Sequence, residues 1–236
     1  MTRLREQLKQ LNICMSTEQE EMLLSYQEML EAGNRVMNLT AVTELSEVCT
    51  KHYLDSLSIV KAVDLRAVNT MIDVGTGAGF PGMVLKIMFP HINTVLLDSL
   101  NKRVGFLNDV ISSLGLTDVE AVHMRAEDAA ASEKYRESFD LCVSRAVASL
   151  SVLSEYCLPF VSEGGLFVAY KTQSAGEEIR DAAGAIKLLG GRKEKEESFF
   201  LPDTDMGRRL VVIRKIKPTD RRYPRKAGVP AKAPLK

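Results

Sequence analysis

The sequence lacks the features that direct a chain to a membrane or stabilise it with covalent cross-links. Its 236 residues contain no run near the ~18 consecutive apolar residues that a membrane-spanning helix needs. The amino-terminal segment is charged and lacks the apolar stretch of a secretory leader. Cys14, Cys49, Cys142 and Cys157 form no C-x-x-C pair, so we expect neither a structural zinc site nor disulfides. These absences predict a cytoplasmic protein with reduced thiols, no membrane association and no metal site.

Net charge is absent as well, but the charges are unevenly distributed. Lys+Arg and Asp+Glu both number 31. Residues 206–236 hold eleven Lys/Arg and one acidic residue, whereas the preceding 205 residues hold 20 basic and 30 acidic ones. An acidic body with a basic end is typical of a protein that contacts a polyanion with one face, although a solvated tail is the simpler alternative. Prolines and a glycine after residue 217 predict a basic C-terminal tail, residues 218–236, that is irregular or disordered until bound.

The first 65 residues have the pattern of helices and form a predicted helical N-terminal extension. Ser16 and Gln19 make a capping-box pattern, apolar residues then recur at helical spacing, and Gly33 is expected to end this helix. A second helical pattern covers residues 48–63. No strand signal occurs in this part of the chain.

Residues 66–217 have a different pattern, in which short β-favouring runs alternate with helical stretches. Such alternation indicates βαβ units and a mostly parallel sheet, that is, an α/β domain. Strands are predicted at residues 68–74, 93–98, 119–124, 139–144, 164–170 and 210–214, with a further short one at 199–201.

The clearest functional signal is a glycine-rich turn between the first predicted strand and the helix after it. Gly75, Gly77 and Gly79 let the backbone approach a ligand where a Cβ atom would clash. Asp98 follows 19 residues after Gly79, at the end of the next strand, where an acidic residue binds ribose hydroxyls in nucleotide sites. Asp73 precedes the first glycine by two residues. Its carboxylate would repel a pyrophosphate but attract a ligand with an amino group and no phosphate, which favours S-adenosylmethionine.

Two further positions fit the same site. Ala126 and Glu127 follow the third strand, where this kind of fold presents groups to an adenine ring; a solvated acidic residue at a helix start is an equal alternative for Glu127. Arg145 follows the fourth strand and must either reach the site or pair with a carboxylate; we predict the site.

The absence of two sequence motifs reduces the number of acceptor atoms that the protein could methylate. The fourth strand is not followed by the Asn/Asp-Pro-Pro-aromatic cluster of base-amine methyltransferases, and Cys142 lies within a strand between apolar residues, which favours a core role over that of a nucleophile. The acceptor should therefore be nucleophilic already at neutral pH. A purine N7 qualifies because its lone pair carries no proton, so catalysis would consist mainly of positioning.

Taken together, the motifs resemble the RsmG (GidB) family of bacterial 16S rRNA guanine-N7 methyltransferases. The resemblance covers nearly the whole chain and rests on Asn38–Thr40, His52–Leu57, Asp73–Gly82, Leu97–Arg103, Arg125–Glu127, Ser144–Leu150 and Arg222–Pro230. It implies a class I S-adenosylmethionine-dependent methyltransferase fold, Rossmann-like, with a seven-stranded mostly parallel sheet. It also implies a reaction, the methylation of N7 of guanine 527 in the 16S rRNA of the small ribosomal subunit.

The resemblance assigns roles to individual residues. Gly75 and Phe80 should line the methionine side of the cofactor, Ala126 and Glu127 should meet the adenine, and Arg145 should close the site as its catalytic residue. His52 is expected to be a buried structural residue paired with Asp55, with an RNA-facing role as the rival. The expected phosphate contacts are Lys102, Arg103, Lys171, Arg221, Arg222, Arg225 and Lys226; Lys171 is less typical, because Tyr170 precedes it. Substituting the basic residues of the tail should weaken RNA binding and leave cofactor affinity intact. We expect a monomer.

Three other functions remain open from the sequence. The first is a methyltransferase of the same fold that acts on a small molecule or a protein, which would have no use for the basic tail. The second is an NAD-dependent oxidoreductase, against which the G-x-G-x-G spacing and Asp73 argue. The third is an RNA-binding factor that has kept the fold without the activity.

Gly77→Val is expected to abolish cofactor binding, because a branched side chain would occupy the space of the ligand. The measurement is calorimetric titration with S-adenosylhomocysteine. Unchanged affinity in a folded variant would contradict the placement of the cofactor at this turn.

Overall fold

The fold is built on one twisted sheet covered by helices on both faces. The computed structural model describes residues 1–145 and 148–236, and the strand order of their seven-stranded sheet is β3-β2-β1-β4-β5-β7-β6. Strands β1 to β5 are parallel, and β7 is antiparallel to β5 and β6. This confirms the predicted mostly parallel sheet. The strands are β1 Thr70–Val74, β2 Asn93–Asp98, β3 Val119–His123, β4 Phe139–Ser144, β5 Val161–Thr172, β6 Gly191–Phe200 and β7 Gly207–Lys215.

The helices alternate with the parallel strands as predicted. They are α1 Thr2–Gln10, α2 Thr17–Met37, α3 Leu45–Val48, α4 Asp55–Leu57, α5 Gly82–Met88, α6 Asn101–Ser113, α7 Ala126–Ala131, α8 Leu150–Cys157, α9 Gly176–Asp181, α10 Ala183–Leu188 and α11 Val229–Lys232. Short 3-10 turns lie at Ser58–Lys61, Leu65–Ala67 and Leu158–Phe160. No helix within the described ranges is long and apolar enough to cross a membrane.

Helix α2 begins as predicted but ends later. Ser16 and Gln19 form the capping box with reciprocal side-chain to backbone hydrogen bonds. The prediction that Gly33 ends the helix is wrong, because α2 continues to Met37 and Asn38 is the left-handed cap. A Cβ atom at Gly33 would lie 3.0 Å from Leu39 and 3.1 Å from Phe106. Gly33 is therefore explained by close packing, which has no local sequence signal.

The helical extension shares one continuous core with a face of the sheet. Leu23, Tyr53 and Leu57 of the extension are fully buried in the same cluster as Val143 and Val212 of the sheet. The opposite face is covered by α7 to α10, together with part of the C-terminal tail. The extension is thus packed onto the sheet through apolar contacts, the dominant favourable contribution to folding.

Strand β6 is largely missed by the sequence analysis, which predicted only a short strand at 199–201. It is an edge strand whose side chains are mostly exposed or partly exposed, and six consecutive residues, 192–197, are charged. The apolar alternation that identifies a half-buried strand is therefore absent. Charged side chains on an edge strand also prevent pairing with other chains, which gives this composition a physical reason.

The second predicted helix, over residues 48–63, is interrupted. After α3, residues Cys49–Leu54 form a π-helical segment before α4 and a 3-10 turn. π-Helices are rare in proteins, and those that occur are often found at functional sites. The change from α-helical to π-helical hydrogen bonding leaves no mark in the spacing of apolar residues, so the sequence indicated only a helix.

The tail was predicted to be irregular or disordered until bound, and the structure shows the irregular alternative. Residues 218–236 are mostly irregular, but they pack against the domain and end near α9 and α10. Arg136 donates hydrogen bonds to the carbonyls of Thr219 and Tyr223, and Tyr223 is buried. The tail has few apolar residues, and these long-range contacts to the domain are what order it.

A matched pair of glycine substitutions tests the packing of α2. Gly105 lies within α6 and has no atom within 4 Å of its Cβ position, so Gly105→Ala should raise the free energy of unfolding by about 0.5–1 kcal/mol. Gly33→Ala gains the same helix propensity but overpacks Leu39 and Phe106, at a typical cost of about 1–3 kcal/mol. Urea unfolding should therefore find Gly33→Ala less stable than wild type. Equal stabilisation by both changes would contradict the packing argument.

Candidate functional site

A cleft of about 580 Å³ lies at the carboxyl ends of the parallel strands. Strand β1 lies between β2 and β4, so the strand order reverses there, and ligands of open α/β sheets bind at such a switch point. Gly75 and Asp98 line the cleft, as do Tyr156 of α8 and two residues of the tail, Gly228 and Ala231. A larger cleft of about 810 Å³ beside α9 contains none of the predicted cofactor residues.

The glycine turn encloses one side of the cleft. Its backbone is anchored by the N–H groups of Gly75 and Thr76, which both donate to the carbonyl of Leu97. Gly75 and Gly77 have φ angles of +73° and +63°, which residues with a Cβ atom rarely adopt. No atom lies within 4 Å of the Cβ position of Gly77, so this position faces open space. That agrees with the space needed for a ligand.

Gly79 and Phe80 have different surroundings from those predicted. A Cβ atom at Gly79 would lie 2.5 Å from the Tyr26 hydroxyl and 2.9 Å from Met83, so this glycine is required by packing of the extension. The Phe80 ring is buried among aromatic residues and stacks on His52 at 4.3 Å between ring centroids. Neither residue is part of the cleft wall.

Asp73 lies in β1 just before the glycine turn, is fully buried and is not part of the cleft wall. Its Oδ2 accepts a hydrogen bond of 2.7 Å from the backbone N–H of Gly82, whereas Oδ1 has no partner among the described residues. Burial raises the pKa of this carboxyl to about 6. A buried carboxylate oxygen without a partner is costly, so Asp73 is suited to attract a cationic ligand.

Asp98 is placed as predicted, at the end of β2 in the cleft wall. Its Oδ2 accepts a hydrogen bond of 2.9 Å from the N–H of Gly77, and its Oδ1 accepts one of 2.9 Å from the N–H of Leu100. Arg103 lies 3.5 Å away. These bonds hold the carboxylate against the glycine turn, and its remaining lone pairs can accept bonds from hydroxyl groups.

Ala126 and Glu127 line the cleft at the start of α7. Glu127 is buried, which rules out the solvated alternative considered for it from the sequence. Its Oε1 accepts a hydrogen bond of 2.8 Å from the backbone N–H of Gly228, so the tail contacts this carboxylate directly.

Arg145 both lines the cleft and pairs with a carboxylate, the two alternatives considered from the sequence. Its guanidinium donates to Oδ2 of Asp55 at 2.9 Å and to Nδ1 of His52 at 3.1 Å, and it lies 5.3 Å from the centre of the Phe80 ring. Ala146 and Val147, which follow it in the Ser144–Leu150 motif, lie outside the described residues.

His52 belongs to this network through both of its ring nitrogens. Arginine has no acceptor, so Nδ1 of His52 must accept, and Nε2 then donates to the Thr40 hydroxyl at 2.9 Å. Burial, and then the charge of Arg145, lowers the pKa of the imidazole to about 4. The expected pair of His52 with Asp55 is therefore indirect, because Arg145 lies between them.

Arg208 and Arg125 are part of the site but were missed by the sequence analysis. Arg208 donates to Oδ1 of Asp55 at 2.7 Å, and Arg125 lines the cleft. Arg125 belongs to the quoted Arg125–Glu127 motif and could have been included. Arg208 is 153 positions from Asp55, and no local pattern relates them.

The predicted RNA contacts lie in different parts of the molecule. Lys102 and Arg103 lie in the first turn of α6, where Arg103 lines the cleft and Lys102 is exposed. Lys226 is exposed two residues before Gly228. Arg221 and Arg222 are exposed and follow Thr219, whose N–H donates to Glu137 just before β4. They therefore lie near the amino-terminal ends of the strands, on the side of the sheet away from the cleft.

Two of the predicted contacts form internal ion pairs instead. Lys171 is nearly buried and lies 2.6 Å from Glu178, and Arg225 lies 2.6 Å from Glu155. In this arrangement neither side chain is available to a phosphate.

The comparisons with known proteins agree on a family. A family model described as rRNA small subunit methyltransferase G matches residues 19–205. Ribosomal RNA small subunit methyltransferase G of Lachnoclostridium phytofermentans is 48% identical over 228 residues, covering 97% of this chain and 94% of the relative. The protein of the same name from Alkaliphilus metalliredigens is 49% identical over 233 residues, covering 99% and 98%.

Solved structures support the fold. TYW2 of M. jannaschii in complex with AdoMet is similar with a TM-score of 0.50 at 12% identity, covering 62% of this chain and 69% of that one. A chain in a complex of the Haloferax volcanii Trm112 methyltransferase activator has a TM-score of 0.54 at 15% identity, covering 73% and 93%. The fold is that of the class I S-adenosylmethionine-dependent methyltransferases, as predicted.

Replacing His52 by Gln is expected to alter the pH dependence of stability. The folded-state pKa of about 4 lies below the usual 6.5, so the unfolded chain binds more protons between these values and stability falls as the pH is lowered through this window. Gln does not titrate. In urea unfolding, wild type should lose roughly 1–2 kcal/mol more than His52→Gln between about pH 7 and about pH 5. Equal losses would contradict a neutral, partly buried His52.

Proposed function

Because the chain belongs to the rRNA small subunit methyltransferase G family, we propose that it methylates N7 of guanine 527 in 16S rRNA. It is an S-adenosylmethionine-dependent methyltransferase of small-subunit ribosomal RNA. The choice of N7 follows from the family resemblance. The observation that carries it in the structure is the engagement of both ring nitrogens of His52, which leaves this histidine unable to act as the general base that other acceptors would need.

The residues of the cleft fit the cofactor. A volume of about 580 Å³ suits a nucleoside-sized molecule, and small-molecule sites span about 300–1,000 Å³. Asp73, with its unpartnered Oδ1, lies just before the turn, and Gly77 faces open space. Asp98 would accept bonds from the ribose hydroxyls, Ala126 and Glu127 would meet the adenine, and Gly75 and Gly77 would adjoin the methionine part.

The chemistry then requires positioning and no proton transfer. The cofactor, when bound, supplies a methyl group activated by a sulfonium. A guanine N7 attacks through an in-plane lone pair and has no proton to lose, so no general base is needed. His52 has a pKa of about 4, and both of its ring nitrogens are engaged, so it has no free lone pair with which to act as one.

Arg145 acts in this proposal by holding the site closed. Its guanidinium bridges the cleft to Asp55 and His52 of the extension, and the Phe80 ring lies beside it. Phe80 therefore contributes through Arg145 more than through direct contact with the cofactor, which revises the role expected from the resemblance.

Basic residues at the rim would bind the RNA backbone. Lys102, Arg103 and Lys226 are the candidates beside the cleft, and Arg221 and Arg222 could contact more distant phosphates only. Phosphate contacts make affinity fall as salt is raised. We place the protein in the cytoplasm as a monomer acting on the small subunit or its RNA.

A synthetic loop RNA tests the acceptor atom. When guanine 527 is replaced by 7-deazaguanine, whose ring has a carbon in place of N7, methyl transfer in a single turnover should be lost while RNA binding persists. The unmodified loop is the control. Methylation of the deaza RNA would show that the acceptor is a different atom.

The same assay distinguishes the alternatives. A methyltransferase of small molecules or proteins, and an RNA-binding factor without activity, would both leave the unmodified RNA unmethylated. Mapping 7-methylguanosine in rRNA from a strain that lacks this protein, with and without the restored gene, connects the result to the cell.

A further inference from the structure

The C-terminal tail runs from the amino-terminal ends of the parallel strands to their carboxyl ends. At its start, the N–H of Thr219 donates to Glu137 at 2.6 Å, ahead of β4 and far from the cleft. At residues 228–231 it reaches the cleft, where Gly228 and Ala231 form part of the wall. The tail thus passes over α8, reaches the cleft at residues 228–231 and continues to its end near α9 and α10.

An ion pair anchors the tail midway. Arg225 donates to the Glu155 carboxylate through its backbone N–H at 2.8 Å, Nε at 2.9 Å and Nη2 at 2.6 Å. The Glu155 side chain is 1% exposed. A buried carboxylate without its partner is strongly unfavourable, so Glu155 holds the tail in this position. The next residue along α8, Tyr156, lines the cleft.

A second contact lies at the cleft itself. Gly228 has a φ angle of +80°, and its N–H donates to Oε1 of Glu127. This bond orients the Glu127 carboxylate and leaves Oε2 to accept a bond from a ligand. Pro230, two residues further along the tail, is buried.

We propose that residues 225–231 are a structural part of the cofactor site, forming the wall next to the adenosine portion and positioning Glu127. The basic tail is therefore more than an RNA contact, contrary to the expectation from sequence that its basic residues do not affect cofactor affinity. The inference rests on the placement of the cofactor in this cleft.

Arg225→Gln tests the anchor. The variant should bind S-adenosylhomocysteine at least about tenfold more weakly in calorimetric titration, equivalent to 1.4 kcal/mol. Arg222→Gln is the matched control: it removes the same charge from the same tail, at an exposed residue paired with Asp220 near the amino-terminal ends of the strands, and should bind as wild type does. Circular dichroism verifies that both variants are folded. Equal affinity of the two variants would overturn the proposal.

A second measurement uses the unmodified protein and so does not depend on a variant folding. Lys226 and Lys232 are exposed sites for trypsin within or next to the wall segment, and Arg221 and Arg222 are exposed sites outside it. S-adenosylhomocysteine should slow cleavage after the two lysines and leave cleavage after the two arginines unchanged. If the ligand left the cleavage rate unchanged after the two lysines as well, or slowed cleavage equally at all four sites, the proposal would be overturned. If wild type bound no ligand at all, the proposed function would fail instead.

Discussion

The buried carboxylate of Asp55 is the interaction on which the arrangement of the site depends. It accepts hydrogen bonds from Arg145 after β4 and from Arg208 of β7, so it joins the helical extension to two strands of the sheet. A buried carboxylate is stable only when it is paired, and two guanidinium groups satisfy both of its oxygens. Arg145 in turn requires a neutral His52, and burial keeps His52 neutral. These contacts fix the position of the helical extension relative to the strand ends that form the cleft.

A second buried carboxylate, Glu155, does the same for the other side of the cleft. It holds Arg225, and through it the segment that carries Gly228 to Glu127. The cleft is therefore enclosed by parts of the chain that are far apart in sequence, each joined to the sheet by a charged pair with little solvent access. The cleft is thus shaped by the extension and the tail as well as by the sheet, in agreement with the general rule that function resides in sites added to a common fold.

The regular part of the fold could be predicted from the sequence because its signals are local. Short apolar runs between helical stretches identified six of the seven strands of the described sheet, and the glycine turn with Asp98 located the cleft. The charged edge strand β6 carries no such signal. The C-terminal end of α2 and the π-helical segment were also missed. Helix α2 continues past Gly33, which packs closely against Leu39 and Phe106, and π-type hydrogen bonding has no apolar pattern of its own.

By itself, the sequence determined the fold class, the family and the position of the glycine turn beside the cleft, because short-range periodicity and compact motifs express them. Only the tertiary structure decided which charges are available and which are internally paired. Lys171 and Arg225 resemble the exposed Lys102 and Lys226 in sequence but form ion pairs with Glu178 and Glu155. A charged side chain's role depends on its burial and its partner, and both come from residues that the chain brings together only when it folds.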